Sequence, residues 1–221
     1  TFIGDNGSGK TNIAESLIYL AFLSSHRVAN NVPLISLGNQ QAIIRAEVQR
    51  DERTLQIDLE INASKANRAR INGNPTRSQR ELLGAIQIVY FSPEDLDLVR
   101  GEPGNRRDFL DRLLITRTPR LAGVIADYER VVKQRNALLK TRTSAAALVP
   151  WNEQLIKLGA ELTAERIALV DVLNPWVAKN YANLNEVKPA SISYKCSTEG
   201  VTKNIDDNIA ALTARLEEVA Y

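Results

Sequence analysis

Hydrophobic and polar positions alternate in two distinct periods along the first hundred residues. Ile13, Leu17, Leu20 and Ala21 recur at i, i+4, i+7 and i+8, the spacing of one helix face. Further on, Leu55, Ile57, Leu59 and Ile61 are separated by Gln56, Asp58 and Glu60, the mark of a strand with one face buried. Ile44, Ala46 and Val48 precede that run across Asp51-Glu52-Arg53, and Arg70-Ile71-Asn72-Gly73 carries the Asn-Gly pair of a tight hairpin. Together they predict an antiparallel meander from about 42 to 75. A short helix near 79–83 then leads into the apolar run Ile86–Phe91, which reads as a buried strand.

From Ser92 the pattern turns helical. Ser92-Pro93-Glu94-Asp95 is a helix start, with Ser as N-cap, Pro at the first helical position and two acids in the first turn. Gly101 ends that short helix. Asn105 starts another, with Phe109, Leu110, Leu113 and Leu114 on one face, and Thr118-Pro119 starts a long one running through Leu121, Ile125, Tyr128, Val131 and Leu138. A small-residue linker covers Thr141 to Ala147. A second long helix follows from about Trp151, carrying Leu155, Leu158, Leu162, Leu169, Leu173 and Trp176, with Pro175 expected to kink or end it. Residues 191–196 read as a strand and 205–221 as a last helix. These stripes are ordinary helix packing and call for no further role.

The opening stretch changes the picture. Gly4 to Thr11 reads G-D-N-G-S-G-K-T and matches G-x-x-x-x-G-K-[ST] at every fixed position. Phosphates need closely spaced backbone N–H groups, so Gly4, Gly7 and Gly9 remove the side chains that would hold the chain away. Asp5, Asn6 and Ser8 complete the loop, Lys10 is placed to reach the β and γ phosphates, and Thr11 to set its hydroxyl on Mg²⁺. The helix that follows turns its positive end towards them. ATP and Mg²⁺ are the expected cofactors. Such a loop joins a buried strand to a helix, and here Thr1-Phe2-Ile3 is all the strand there is.

Composition adds bounds. The 221 residues are 44% hydrophobic and 24% charged, enough for a proper core. One cysteine, Cys196, makes no internal disulfide framework, fits a reducing compartment and reads as a small buried residue. No apolar run spans a bilayer, so a cytoplasmic protein without membrane contact is expected. Net charge is only +2, yet residues 100–142 hold eleven Lys/Arg against five Asp/Glu, a local excess that suits a polyanion or a set of solvated helix faces.

Three segments carry a family resemblance. "PEDLDLVRGEPGNRRDFLD" at 93–111, "GDNGSGKTN" at 4–12 and "SHR" at 25–27 resemble, in order and spacing, the motifs of the RecF family of bacterial recombination-mediator ATPases. The resemblance implies an α/β fold, an ABC-type ATPase head related to SMC proteins: an ATP-binding lobe I with an antiparallel meander over 1–100 and a mostly helical lobe II over 101–221. It implies an ATP-dependent protein of recombinational repair and replication-fork maintenance, linked to the SOS response. Such proteins bind single-stranded or gapped DNA, work with recombination mediator proteins to load recombinase, and form a homodimer around ATP.

The resemblance also implies parts that these residues lack. An ABC head needs a signature motif and an apolar strand ending in Asp-Glu. Ser36-Leu37-Gly38-Asn39-Gln40 imitates the first in the wrong place. Ile167–Asp171 imitates the second, but Val172 stands where the catalytic Glu belongs. No catalytic residue is therefore assigned, any weak DNA-dependent ATPase activity is expected of a longer protein, and the chain is expected to be cut at both ends. Arg27 either reaches nucleotide or DNA, as an arginine does at this place in SMC-like heads, or is a solvated loop residue. His26 is expected to be structural. Ser92 or Glu94 either senses the γ-phosphate or only starts a helix. Arg106 and Arg107 either contact DNA or partner protein, or pair with Asp108 and Asp111. Two other classes stay open: an ABC transporter nucleotide-binding subunit, and a non-enzymatic module using the long helices.

Overall fold

Two successive hairpins build the sheet. In this computed structural model β1 (Gln41–Arg50) pairs antiparallel with β2 (Arg53–Asn62), β2 with β3 (Arg68–Ile71), and β3 with β4 (Asn74–Pro75), in the order β1-β2-β3-β4. The structure describes residues 1–25, 27–28, 30–50, 52–141, 144–184 and 188–219, without the side chains of Arg50 and Glu94. Asn72 and Gly73 both take positive φ, 51° and 78°, as a two-residue primed turn demands. Register sends Ile57, Leu59 and Ile61 inwards, where they are buried, and Asp58 and Glu60 to the other face.

The inner face of the meander is covered by α1 (Lys10–Phe22). Tyr19 and Leu20 join Ile57, Leu59, Ile61, Ala69 and Leu82 in one buried cluster. The helix face differs from its periodic reading. Leu20 and Ala21 are buried with Ile18 and Tyr19, whereas Ile13 and Leu17 are 45% and 40% exposed. The buried face is set by what the last two turns pack against, which periodicity alone does not reveal. Ser78 and Glu81 close a capping box on the short 3-10 turn Gln79–Leu82, which delivers Leu82 into the same cluster.

Three expected strands are absent. Thr1–Ile3, Ile86–Phe91 and residues 191–196 form no strand ladder, apart from one isolated bridge between Leu83 and Ile86. Ile3, Val89 and Phe91 lie in the open, Val89 fully so. Apolar content prepared these segments for a sheet, but a strand exists only where a neighbour supplies ladder partners.

The helices are α2 (Asp97–Arg100), α3 (Pro103–Arg117), α4 (Leu121–Lys140), α5 (Ala145–Ala182) and α6 (Ile205–Val219). A 3-10 turn at Pro93–Leu96 precedes α2, and Gly101 ends it without a left-handed turn. Helix α3 begins at Pro103, two residues before Asn105, and buries Leu114 and a carboxylate, Asp111, while Phe109 stays partly exposed. Helix α5 begins before Trp151 and runs through both Pro150 and Pro175, so Pro175 does not end it. Helix α4 packs on α5 and α5 on α6, and Gly159 sits tightly between them: a Cβ there would lie 3.3 Å from the Tyr128 ring and 3.4 Å from Leu212. Cys196 is half-buried and free. No helix among the described residues is long and apolar enough to cross a membrane.

The chain forms two compact units, one of Thr1–Arg106 with Ile115–Pro119, the other of Arg107–Leu114 with Arg120–Tyr221. In the second, Arg166 of α5 forks onto Asp111 of α3, Nε donating at 2.8 Å and Nη2 at 2.6 Å, both residues nearly buried. Burial opposes the charge of Arg166, but the bonds to Asp111 outweigh it and hold the guanidinium more firmly protonated than usual. Glu129 lies near this pair. Glu129 is exposed, but partial desolvation first, then the negative charges of Asp108 and Asp111, push its carboxyl above the ordinary range. A raised folded value means that stability is present at low pH and lost as pH rises through that value. Glu129→Gln should therefore melt higher than the parent at pH 7, with the difference vanishing as pH falls below the carboxylate range. Thermal melts at a series of pH values measure it, and equal melting at neutral pH would contradict it.

Candidate functional site

The loop from Gly4 to Thr11 reverses the chain into α1. Gly7 and Gly9 take φ of 86° and 88°, a region closed to most side chains. The Ser8 N–H donates to the Asp5 carbonyl at 3.2 Å and tightens the turn around Asn6. At Gly4 a Cβ would come within 3.0 Å of Ser8 Oγ. Gly9 is the N-cap of α1 and offers no side-chain acceptor, so the first amides of the helix are left for an external anion. The Lys10 ammonium folds back over the loop and donates to the carbonyls of Gly4 at 2.7 Å and Asp5 at 2.8 Å, with Ser8 Oγ at 3.5 Å. A cation, uncapped helix amides and a side-chain-free turn thus meet in a few residues. Thr11 stands in the first turn of α1 with its side chain exposed. This donor set fits the phosphates of a nucleotide, and a hydroxyl at Thr11 fits a hard cation accompanying them.

Arg27 is tied to the same helix. Its Nη1 reaches Glu15 Oε2 at 3.2 Å, and the other carboxylate oxygen accepts from Ser25 Oγ at 2.5 Å. Ser25 Oγ in turn accepts from the backbone N–H of Arg27 at 3.0 Å and of Val28 at 3.2 Å. Arg27 is therefore anchored rather than loose in solvent, though about half of its side chain (48%) stays exposed. A cavity of about 460 Å³ opens beside it, with Asn12, Glu15 and Tyr19 of α1 on one wall and Ala42, Ile44 and Ile61 of the meander on the other. Ser25 lies in the segment at 25–27 singled out in the sequence, but Glu15 was not. The signal was a single acid three and four residues before Ile18 and Tyr19, on the face that packs.

Other candidates fall elsewhere. Arg106 does not pair with Asp108 or Asp111; its Nη1 donates to the carbonyls of Leu98 and Gly101, both at 3.1 Å, and closes the end of α2. Arg107 is exposed on α3. Ser92 is nearly buried, and its backbone N–H donates to Asp95 Oδ2 at 2.6 Å, so the cap runs from Asp95 back to Ser92. Ser36–Gln40 is an exposed turn, and Ile167–Asp171 is helical within α5, where Asp171 pairs with Lys203 at 2.8 Å. His26 and the Glu94 side chain lie outside the described residues.

No family model matches the chain. Curated relatives do. The chain is 46% identical over 228 residues to the DNA replication and repair protein RecF of Streptomyces avermitilis, aligning 98% of this chain and 61% of that protein. It is 42% identical to the RecF of Nocardioides sp. over 268 residues, with 98% and 64% covered. It is 46% identical to the RecF of Rhodococcus erythropolis over 235 residues, with 100% and 57% covered. The chain thus spans about three fifths of the length of the curated relatives it matches. Among solved structures, two of the recombination mediator protein RecF in the RecFOR pathway superpose over 97% of this chain. The one described with ATPrS gives a TM-score of 0.88 at 23% identity and covers 59% of that chain; the one with ATP gives 0.78 at 22% and covers 60%. The resemblance read from the three segments therefore holds along nearly the whole chain, and the fold is that of a RecF-like, ABC-ATPase-type α/β head.

Because Glu15 is buried and holds two donors, Glu15→Ala should cost about 2 kcal/mol, in the range for hydrogen bonds to a charged group. Ser25→Ala should cost less. Urea denaturation of each variant measures this, and unchanged midpoints would show that Arg27 is not anchored through Glu15.

Proposed function

We propose that this chain is the nucleotide-binding part of a RecF-type DNA-repair ATPase. The observation that carries the reading is the Lys10 ammonium, held over a loop that presents two positive-φ glycines and an uncapped helix. ATP is the ligand. Its phosphates take the amides from Gly7 to Thr11, and Lys10 exchanges the carbonyls of Gly4 and Asp5 for the β and γ oxygens. The exchange suits the lysine: a phosphate is a stronger acceptor for an ammonium than a peptide carbonyl. Thr11 Oγ1 is the hydroxyl that would hold a Mg²⁺ ion, which would supply charge neutralisation to the phosphates. Arg27, fixed to α1 by Glu15, stands ready to meet nucleotide or DNA.

The first compact unit serves as the ATP-binding lobe and the second as the helical lobe. In the whole protein, ATP closes a homodimer that binds single-stranded or gapped DNA with its recombination mediator partners, in the cytoplasm, as part of the response to DNA damage. The curated relatives and the RecFOR structures support this reading by name and by fold.

Lys10→Ala in the full-length protein should lower ATP affinity at least tenfold, since each lost hydrogen bond to a charged group is worth about 1.5–3 kcal/mol and about 1.4 kcal/mol is a factor of ten. Helix content should not change. Titration calorimetry with ATP and Mg²⁺, beside circular dichroism, tests both statements. Parental affinity in the variant would remove the nucleotide assignment.

A further inference from the structure

The outer face of the meander carries arginines that the phosphate loop does not use. Register sets Arg45 across from Asp58 and Asp58 across from Arg70, while Glu60 lies across from Arg68. Arg45 is paired, its Nε 3.3 Å from Asp58 Oδ1. Among the described residues the guanidinium groups of Arg68, Arg70 and Arg77 make no hydrogen bond or ion pair. All three are exposed and border an open groove of about 540 Å³, whose floor includes the amides of Asn67 and Gln79.

We infer that this groove is a contact surface for the sugar-phosphate backbone of nucleic acid, made by Arg68, Arg70 and Arg77. The inference rests on the DNA-binding part of the proposed function and names residues for it. Arg68 and Arg70 are two apart on one strand, so they project on the same side, about 6.6 Å apart by strand rise. That is the scale of neighbouring phosphates along a nucleic-acid strand. A guanidinium forks onto phosphate oxygens, and a row of them releases counterions from a polyanion. Asp58 and Glu60 line the β2 side of the same groove, so a polyanion is held on its other side, along β3 and the segment after β4. Arg106, the more obvious candidate from sequence, is committed to two backbone carbonyls.

The test uses the full-length protein with ATP and a fluorescent gapped duplex, titrated across a salt series. Arg68→Gln/Arg70→Gln should weaken binding roughly tenfold and reduce the log–log salt slope by about 1.8, since each phosphate contact contributes about 0.9 on duplex DNA. ATP affinity should be unchanged, and Arg68→Lys/Arg70→Lys should keep most of the slope. If the double variant folds poorly, Arg77→Gln alone should lower the slope by about 0.9. Unchanged affinity and slope in variants that fold, with the parent binding DNA, would overturn the groove while leaving the proposed function standing. So would unchanged DNA binding combined with lost binding of a poly-glutamate probe. A parent protein that binds no DNA would overturn both.

Discussion

The glycine-rich loop before α1 depends on one packing contact above others, the last two turns of α1 against the inner face of the meander. A loop of glycines has little stiffness of its own, because each is free to leave the conformation the site needs. Tyr19 and Leu20, buried with Ile57, Leu59 and Ile61, fix the helix, and the helix fixes the amides of its first turn. Truncating one such buried side chain typically costs about 2–5 kcal/mol. The hairpins matter to the loop for this reason: their alternation creates the apolar floor on which the helix sits.

Polar contacts refine that seating. Tyr19 Oη donates to Asn31 Oδ1 at 2.9 Å and accepts from Asn67 Nδ2 at 3.3 Å, while Asn67 also reaches Gln79 Oε1 at 3.1 Å. Burial, against the pull of these two asparagines, raises the Tyr19 phenol above its ordinary value, so it stays a neutral donor. The same asparagine that anchors α1 therefore lines the arginine groove. Glu15 adds a second tether, joining α1 to the loop that carries Arg27.

Much of this was legible in the residues, for reasons that differ by element. Residues 41–75 were readable because period-two alternation and an Asn-Gly pair are both local signals, and the pairing partners are neighbours in sequence. The glycine-rich turn before α1 was readable because the positive φ of Gly7 and Gly9 is written in their residue type. Residues 86–91 misled because a short apolar run has no period, and pairing depends on strands distant in sequence. Asp111 was hidden for the same reason: an acid in a helix looks solvated until its partner on another helix is known. Of the two outcomes expected at Pro175, a kink or an end, the end did not occur, since α5 continues to Ala182. Arg27 stood out, while the Glu15 that holds it did not, because an acid inside a helix gives no local sign of the partner it will meet.

The pair of Asp111 and Arg166 has a consequence for how this chain can drift over evolutionary time. The two are separated by 55 residues in sequence, yet each satisfies a charge the other could not leave uncompensated in a buried setting. A single replacement at either position passes through a disfavoured state, whereas a joint replacement by apolar residues of similar volume need not. Lineages should therefore retain both residues or exchange both, and the two sites should carry a correlated record of descent.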